Sequence, residues 1–251
     1  MNNFCLSFED INSDKIVEVL SEYGVCVLKN YFDVEEIKTI FSELDLLYEK
    51  VPEKRHGHLY SPNQVQLSVE DDYFSGKSVC FYNNSYSIVP SFSKLFFEDT
   101  LLNNVLNKHF SEKCNRFLQI FTTQEYRVID EDNCPRNSFI HIDPFESLKF
   151  AIFYPDVDES NGSLKVIPKS FSEGSFIRKN FISKNVPKPE GYSHKMEEFP
   201  SEMVTFTPDQ IVSIDTSVGD LVLLNTDNYH SGGSILESGK YRKAIYVHNR
   251  P

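Results

Sequence analysis

Apolar positions recur along this chain first with a helical period and later with the alternation of strands. Ile16, Val17, Val19, Leu20 and Tyr23 form a broad helical stripe, with Ser13 placed as its N-cap. Gly24 can close that helix in a left-handed cap. Residues 25–28 read as a short apolar strand. Asp33 opens a second helix, with Glu36 three positions on as a capping-box partner. Ile37, Ile40, Phe41, Leu44 and Leu47 share one face of it. Residues 100–109 predict a third helix. Residues 116–128 predict a strand, with Phe117, Gln119 and Phe121 on one side and Leu118, Ile120 and Thr122 on the other. Gln124 and Arg127 read as edge residues near its end.

From Phe139 the pattern is all-β. Strands are expected over 139–143 and 148–154. Asn161-Gly162 signals a turn, with 163–168 as the return strand. Gly219-Asp220 leads into the buried run Leu221-Val222-Leu223-Leu224, and 243–247 is the final strand. Two stretches break the pattern. Residues 52–94 and 170–215 are polar, irregular and dotted with proline, as lids and substrate-facing segments are. No repeat or linker divides the chain, so residues 1–251 read as one domain.

Composition then removes several function classes. Hydrophobic residues make up 40% of the 251 and charged residues 25%, the balance of a globular protein. A net charge of −12 argues against nucleic acid as a partner. No apolar run approaches a membrane span, and the first residues lack the basic start and apolar core of a secretory leader. Five scattered cysteines without close pairing predict reduced thiols and a cytoplasmic location. Trp is absent while Phe (21) and Tyr (13) are plentiful, which fits an aromatic β core. On that ground Tyr60, Tyr82, Phe145 and Phe153 are not assigned to a pocket.

The candidate chemistry centres on His141-Ile142-Asp143-Pro144. Residues two apart in a strand share a face, so His141 and Asp143 offer an imidazole and a carboxylate together. That is two-thirds of the 2-His-1-carboxylate set that holds non-haem Fe(II) with open positions. Pro144 ends the strand there. The second histidine must come from a distant element. His230 follows a buried strand and precedes Gly232-Gly233, and is the first choice; His248 is the rival. His109 and His194 are less favourably placed, and the pair His56 and His58 reads as a solvated loop. Arg242 opens the last strand, where its fixed fork suits the far carboxylate of a 2-oxo dicarboxylate bound at the metal.

Taken in order, several segments give a resemblance. They are Tyr23-Gly24-Val25-Cys26-Val27-Leu28-Lys29 before a capped helix and His141-Ile142-Asp143, then Val157 through Asn161-Gly162 to Pro168, then Gly219-Asp220-Leu221-Val222-Leu223-Leu224 leading to His230, and last Arg242. The chain resembles the phytanoyl-CoA dioxygenase family of Fe(II)/2-oxoglutarate oxygenases over most of its length. The resemblance implies a mainly β fold with flanking helices: a double-stranded β-helix, or cupin-like jelly-roll barrel. It implies Fe(II) held by His141, Asp143 and His230, with 2-oxoglutarate anchored by Arg242. It further implies hydroxylation of a small organic substrate by O2, with release of succinate and CO2. Because Asp143 keeps a carboxylate, halogenation is disfavoured. One segment departs from the family: Pro168-Lys169-Ser170-Phe171 stands where Pro-Gly-Ser-His is usual. The competing readings are a cupin-like metal enzyme that does not use 2-oxoglutarate, and a non-catalytic binding protein on the same barrel.

Overall fold

The computed structural model describes residues 2–49, 66–69, 76–82, 91, 93–110, 115–124, 140–182, 194–195, 206–233, 235 and 240–251. In chain order the strands begin with β1 (Cys5–Leu6), β2 (Val25–Leu28), β3 (Gln66–Val69), β4 (Gly76–Tyr82) and β5 (Asn115–Gln124). They continue with β6 (His141–Ile142), β7 (Leu148–Tyr154), β8 (Leu164–Val166), β9 (His194–Lys195) and β10 (Val212–Ile214). The last are β11 (Leu221–Asn225), β12 (His230–Ser231) and β13 (Tyr241–Arg250). Among the described residues they form two sheets. The larger runs β1-β2-β11-β7-β13-β5-β4-β3 and the smaller β10-β8-β12-β6-β9. The architecture is that of the expected jelly roll, mainly β with helices on the outside.

The two sheets share a core. Leu164, Val166 and Ile214 of the small sheet join one buried cluster with Phe150, Ile152, Leu223 and Ile245 of the large one. Three helices belong to the same cluster: α1 (Ser13–Tyr23), α2 (Val34–Glu49) and α3 (Thr100–His109). Ile16, Val19 and Leu20 of α1 are buried, as are Ile37, Ile40, Phe41 and Leu44 of α2. These are the stripes read from the sequence, and each buried side chain contributes about 1.5–3 kcal/mol of transfer free energy. The Phe41 ring stacks on Tyr154 at 5.4 Å, and Lys243 pairs with Asp45. No helix among the described residues is long and apolar enough to cross a membrane.

Local details correct the sequence reading. The N-cap of α1 is Asn12, whose side chain accepts from the Lys15 N–H at 2.9 Å. Ser13 is already helical, and its hydroxyl accepts from Lys108. Gly24 does cap the other end, at φ 68°. Asp33 accepts from the Glu35 and Glu36 amides, while the Glu36 carboxylate faces Lys94. Gly162 turns the chain at φ 92°, but the return strand β8 does not pair with β7. It crosses to the small sheet, between β10 and β12. A turn signal fixes a change of direction and not the sheet that the next strand joins.

The segment 170–215 is, where described, part of the scaffold. It supplies a fourth helix, α4 (Phe171–Ile177), and the edge strands β9 and β10 of the small sheet. Ile177 of α4 packs with Ile142, Ile167 and Tyr229 in a second buried cluster. Likewise, within 52–94, β3 and β4 extend the large sheet at its edge. At the start of this region lies Lys169, in the segment that departs from the pattern the sequence resembles. It adopts a glycine-like conformation, φ 70°, with its ammonium 4.5 Å above the Tyr23 ring and 3.0 Å from Glu22.

Candidate metal centre

His141 and His230 lie directly opposite each other on the antiparallel pair β6 and β12. Cross-strand partners point to the same face, and the two rings stand 4.5 Å apart. Val166, on the other side of His230, fixes the register of β12 within the small sheet. Asp143 arrives differently from the sequence expectation. Strand β6 ends at Ile142, and Asp143 sits just beyond it, where its N–H donates to the Thr226 carbonyl at 3.3 Å.

The three side chains converge. Asp143 Oδ1 lies 3.6 Å from His230 Nε2 and 3.8 Å from His141 Nε2. The three donor atoms all fall within 4.8 Å of one another. Bonds of about 2.1 Å need neighbouring donors about 3 Å apart, so a modest contraction would seat a cation. Both imidazoles are buried.

The His230 tautomer is set by its neighbour. Nδ1 lies 2.8 Å from the Asn228 carbonyl, which can only accept, so Nδ1 carries the proton. Nε2 then presents a lone pair. It is buried, has no hydrogen-bond partner and faces an Asp143 oxygen that is also an acceptor. A buried acceptor turned toward a second, partly buried one is unfavourable unless a cation stands between them. The donor set therefore fits a divalent metal.

Lys149, at the start of β7, reaches the other Asp143 oxygen at 3.0 Å. Burial opposes ionisation of this carboxyl, but the Lys149 ammonium beside it holds it well below the usual range. The sequence reading passed over Lys149. Its signal was a lone ammonium in the apolar run 148–154.

Arg242 lies on β13 and is buried. Its guanidinium donates through Nη1 to the Gly162 carbonyl, while the buried Nε has no partner. Gly162 and Gly233 make the space: a Cβ on Gly162 would lie 3.1 Å from Nη1 and 2.7 Å from the Gly233 carbonyl oxygen. A fork with a buried donor still unmatched suits a carboxylate.

The remaining candidates fall elsewhere. His248 is buried on β13, opposite Lys149 in register, and is not in the cluster of donors. Burial, and Lys149 after it, push its imidazole well below the ordinary range. His109 ends α3 against Phe110, and His194 pairs in register with Ile142, one position along from the site strand's histidine. Phe145 is 40% exposed, with the Arg250 guanidinium 4.4 Å from its ring, whereas Phe153 is buried in the core. Gln124 ends β5 opposite Tyr241, and Tyr82 ends β4. His56, His58, Tyr60 and Arg127 lie outside the described residues.

No protein-family model and no curated protein matches this sequence. Solved structures do match its fold. The non-heme alpha-ketoglutarate-dependent carbocyclase SnoK from nogalamycin biosynthesis aligns with a TM-score of 0.60 at 13% identity, covering 95% of this chain and 85% of that one. The epimerase SnoN, in complex with Fe3+, alpha-ketoglutarate and nogalamycin RO, gives 0.60 at 12% identity, covering 95% and 86%. HygX from Streptomyces hygroscopicus, with nickel, 2-oxoglutarate and hygromycin B bound, gives 0.54 at 14% identity, covering 93% and 86%. At these identities the likeness establishes a shared fold.

Proposed function

We propose that this protein is an Fe(II)- and 2-oxoglutarate-dependent oxygenase of the phytanoyl-CoA dioxygenase type, acting in the cytoplasm on a small organic molecule. His141, Asp143 and His230 hold the metal, and Arg242 receives the distal carboxylate of 2-oxoglutarate. The observation that carries this reading is the buried His230 Nε2 lone pair facing Asp143 Oδ1 at 3.6 Å. The similar structures that contain 2-oxoglutarate with iron or nickel support the choice of cofactors.

When bound, iron with 2-oxoglutarate and O2 supplies the oxidising power to hydroxylate a C–H bond, releasing succinate and CO2. The protein's part is geometry and charge. Asn228 fixes the His230 tautomer through Nδ1. Lys149 pairs with Asp143 Oδ2, so the carboxylate would present its other oxygen to the metal. Arg242 carries a buried donor to which a carboxylate oxygen would make a charge-assisted hydrogen bond, stronger than a neutral acceptor makes.

The test is anaerobic titration of the metal-free protein with Fe(II) and then 2-oxoglutarate, followed by the visible charge-transfer absorption of the chelate. The parent gives a band. His141→Ala gives none, and Arg242→Ala requires at least tenfold more 2-oxoglutarate, about 1.4 kcal/mol or more. Iron binding without a band overturns the 2-oxoglutarate assignment in favour of a metal-only cupin-like enzyme. Equal iron content in the parent and in His141→Ala, Asp143→Ala and His230→Ala overturns the metal site.

A further inference from the structure

Arg178 follows α4 and belongs to no motif read from the sequence. Its Nε donates to Asp227 Oδ1 at 2.6 Å and its Nη2 to Asp227 Oδ2 at 2.8 Å. Nη2 also reaches Glu146 Oε2 at 3.0 Å. The Asp227 pair is buried, with side chains 9% and 4% exposed. Each carboxylate belongs to a loop that carries a site residue. Glu146 stands three residues after Asp143. Asp227 stands three before His230 and next to Asn228, whose carbonyl orients the His230 ring.

The same helix is fitted closely to the His230 loop. A Cβ on Gly174 would lie 1.9 Å from the Asp227 carbonyl oxygen. The Tyr229 N–H donates to Ser170 Oγ at 2.8 Å, and Ser170 donates to the Ile167 carbonyl at 2.7 Å. Residues 225–230 therefore have their backbone gripped by the start of α4 and their one buried carboxylate gripped from its end.

We propose that Arg178 is a positioning residue for the metal centre. It fixes the separation of the Asp143 and His230 donors by bracing both of their loops from a third element, and this rests on the metal-site reading above. A bidentate guanidinium is suited to the task because its planar fork fixes direction as well as distance. Stability alone is a poor reason for the pair. Buried ion pairs lose about as much in desolvation as they gain, and apolar replacements of similar size are often neutral. Groups that orient metal ligands, in contrast, typically alter affinity about 10–100-fold when removed.

The experiment uses Co(II) in the full-length protein, because its visible d–d bands report ligand geometry independently of turnover. Titrations would compare the parent with Arg178→Lys, the double variant Arg178→Met/Asp227→Leu, Glu146→Gln and His230→Ala. Val105→Ala, in the buried face of α3, serves as a destabilised control. Thermal unfolding of the metal-free proteins runs alongside. The expected result is at least tenfold weaker Co(II) binding and altered bands in the double variant, at a melting temperature close to the parent. Arg178→Lys, which keeps the charge and loses the fork, shifts the bands in the same direction, and Glu146→Gln does so least. Val105→Ala melts lower with parent-like bands. Should the double variant not fold, Arg178→Lys carries the test. Parent-like affinity and bands in every Arg178 variant, with binding lost in His230→Ala, overturn the positioning role alone. Equal binding by the parent and His230→Ala overturns the metal site, and the positioning role with it.

Discussion

Lys149 holds one oxygen of Asp143 at 3.0 Å while the other oxygen stays turned toward His230. The ammonium thereby makes the carboxylate a one-oxygen donor. Without it, both oxygens are free to chelate a metal and to occupy a position that a co-substrate needs. Lys149→Met is expected to retain Fe(II) within about threefold and to weaken 2-oxoglutarate binding about tenfold, a change of about 1.4 kcal/mol. Anaerobic titration of the charge-transfer band measures both. A variant with parent-like 2-oxoglutarate affinity would show that Lys149 serves the carboxylate's ionisation only.

His248 gives a pH dependence whose sign is fixed. Burial, then the nearby Lys149 charge, keep the folded imidazole neutral well below its ordinary range. An unfolded chain protonates the same ring near pH 6.5 (approximately the model-peptide value). Its contribution is full above about pH 6.5 and declines as the pH falls below it, by up to about 1.4 kcal/mol per pH unit. His248→Gln removes this slope. Urea unfolding of metal-free parent and variant at pH 7, 6 and 5 reads it. His109, also pushed down by burial, is common to both proteins and cancels in the difference.

Gly174 is the closest approach of α4 to the His230 loop. With a Cβ only 1.9 Å from a backbone oxygen, Gly174→Ala forces the helix or the loop to move. Overpacking of this kind costs about 1–3 kcal/mol. The urea midpoint should fall accordingly. Metal affinity should fall with it, because the displaced backbone carries Asn228 and His230. A fall in stability with unchanged metal binding would mean that the helix yields and the loop does not.

Lys169 tests what a left-handed backbone costs a residue other than glycine. Its left-handed backbone costs energy for any residue with a Cβ. The Glu22 pair and the Tyr23 ring contact offset part of that cost. Lys169→Gly removes strain and contacts together, whereas Lys169→Ala removes the contacts and keeps the strain. The ranking of urea midpoints is therefore Gly above Ala, and the reverse order would show that the strain is negligible here.

Much of the fold was legible because its signals are local. The helix over 100–109 and the apolar strand over 148–154 have the bounds expected from the sequence. The misreadings arose where two local signals competed or where distance decided. Asn12 and Ser13 are both good caps, and only the extended backbone of Asn12 settles which one acts. Asn161-Gly162 marks a turn, but partners far along the chain choose the sheet. At the site, the spacing of His141 and Asp143 suggested one strand face. The structure instead brings Asp143 in from beyond the strand end, through Thr226. Arg178 had no sequence signal, since its buried partner is 49 residues away.

The facing of His141 and His230 across a short ladder has a consequence for how this chain tolerates change. Side chains alternate along β12, so sliding it by one position against β6 exchanges His230 for Ser231 in the site. The donor set would not survive the slip. A single-residue insertion or deletion between Asn225 and His230 is thus decisive for the centre, whatever it costs the contacts of that loop with α4. The pairing of two strands works here as a vernier, on which occupancy of the site reads alignment to the residue.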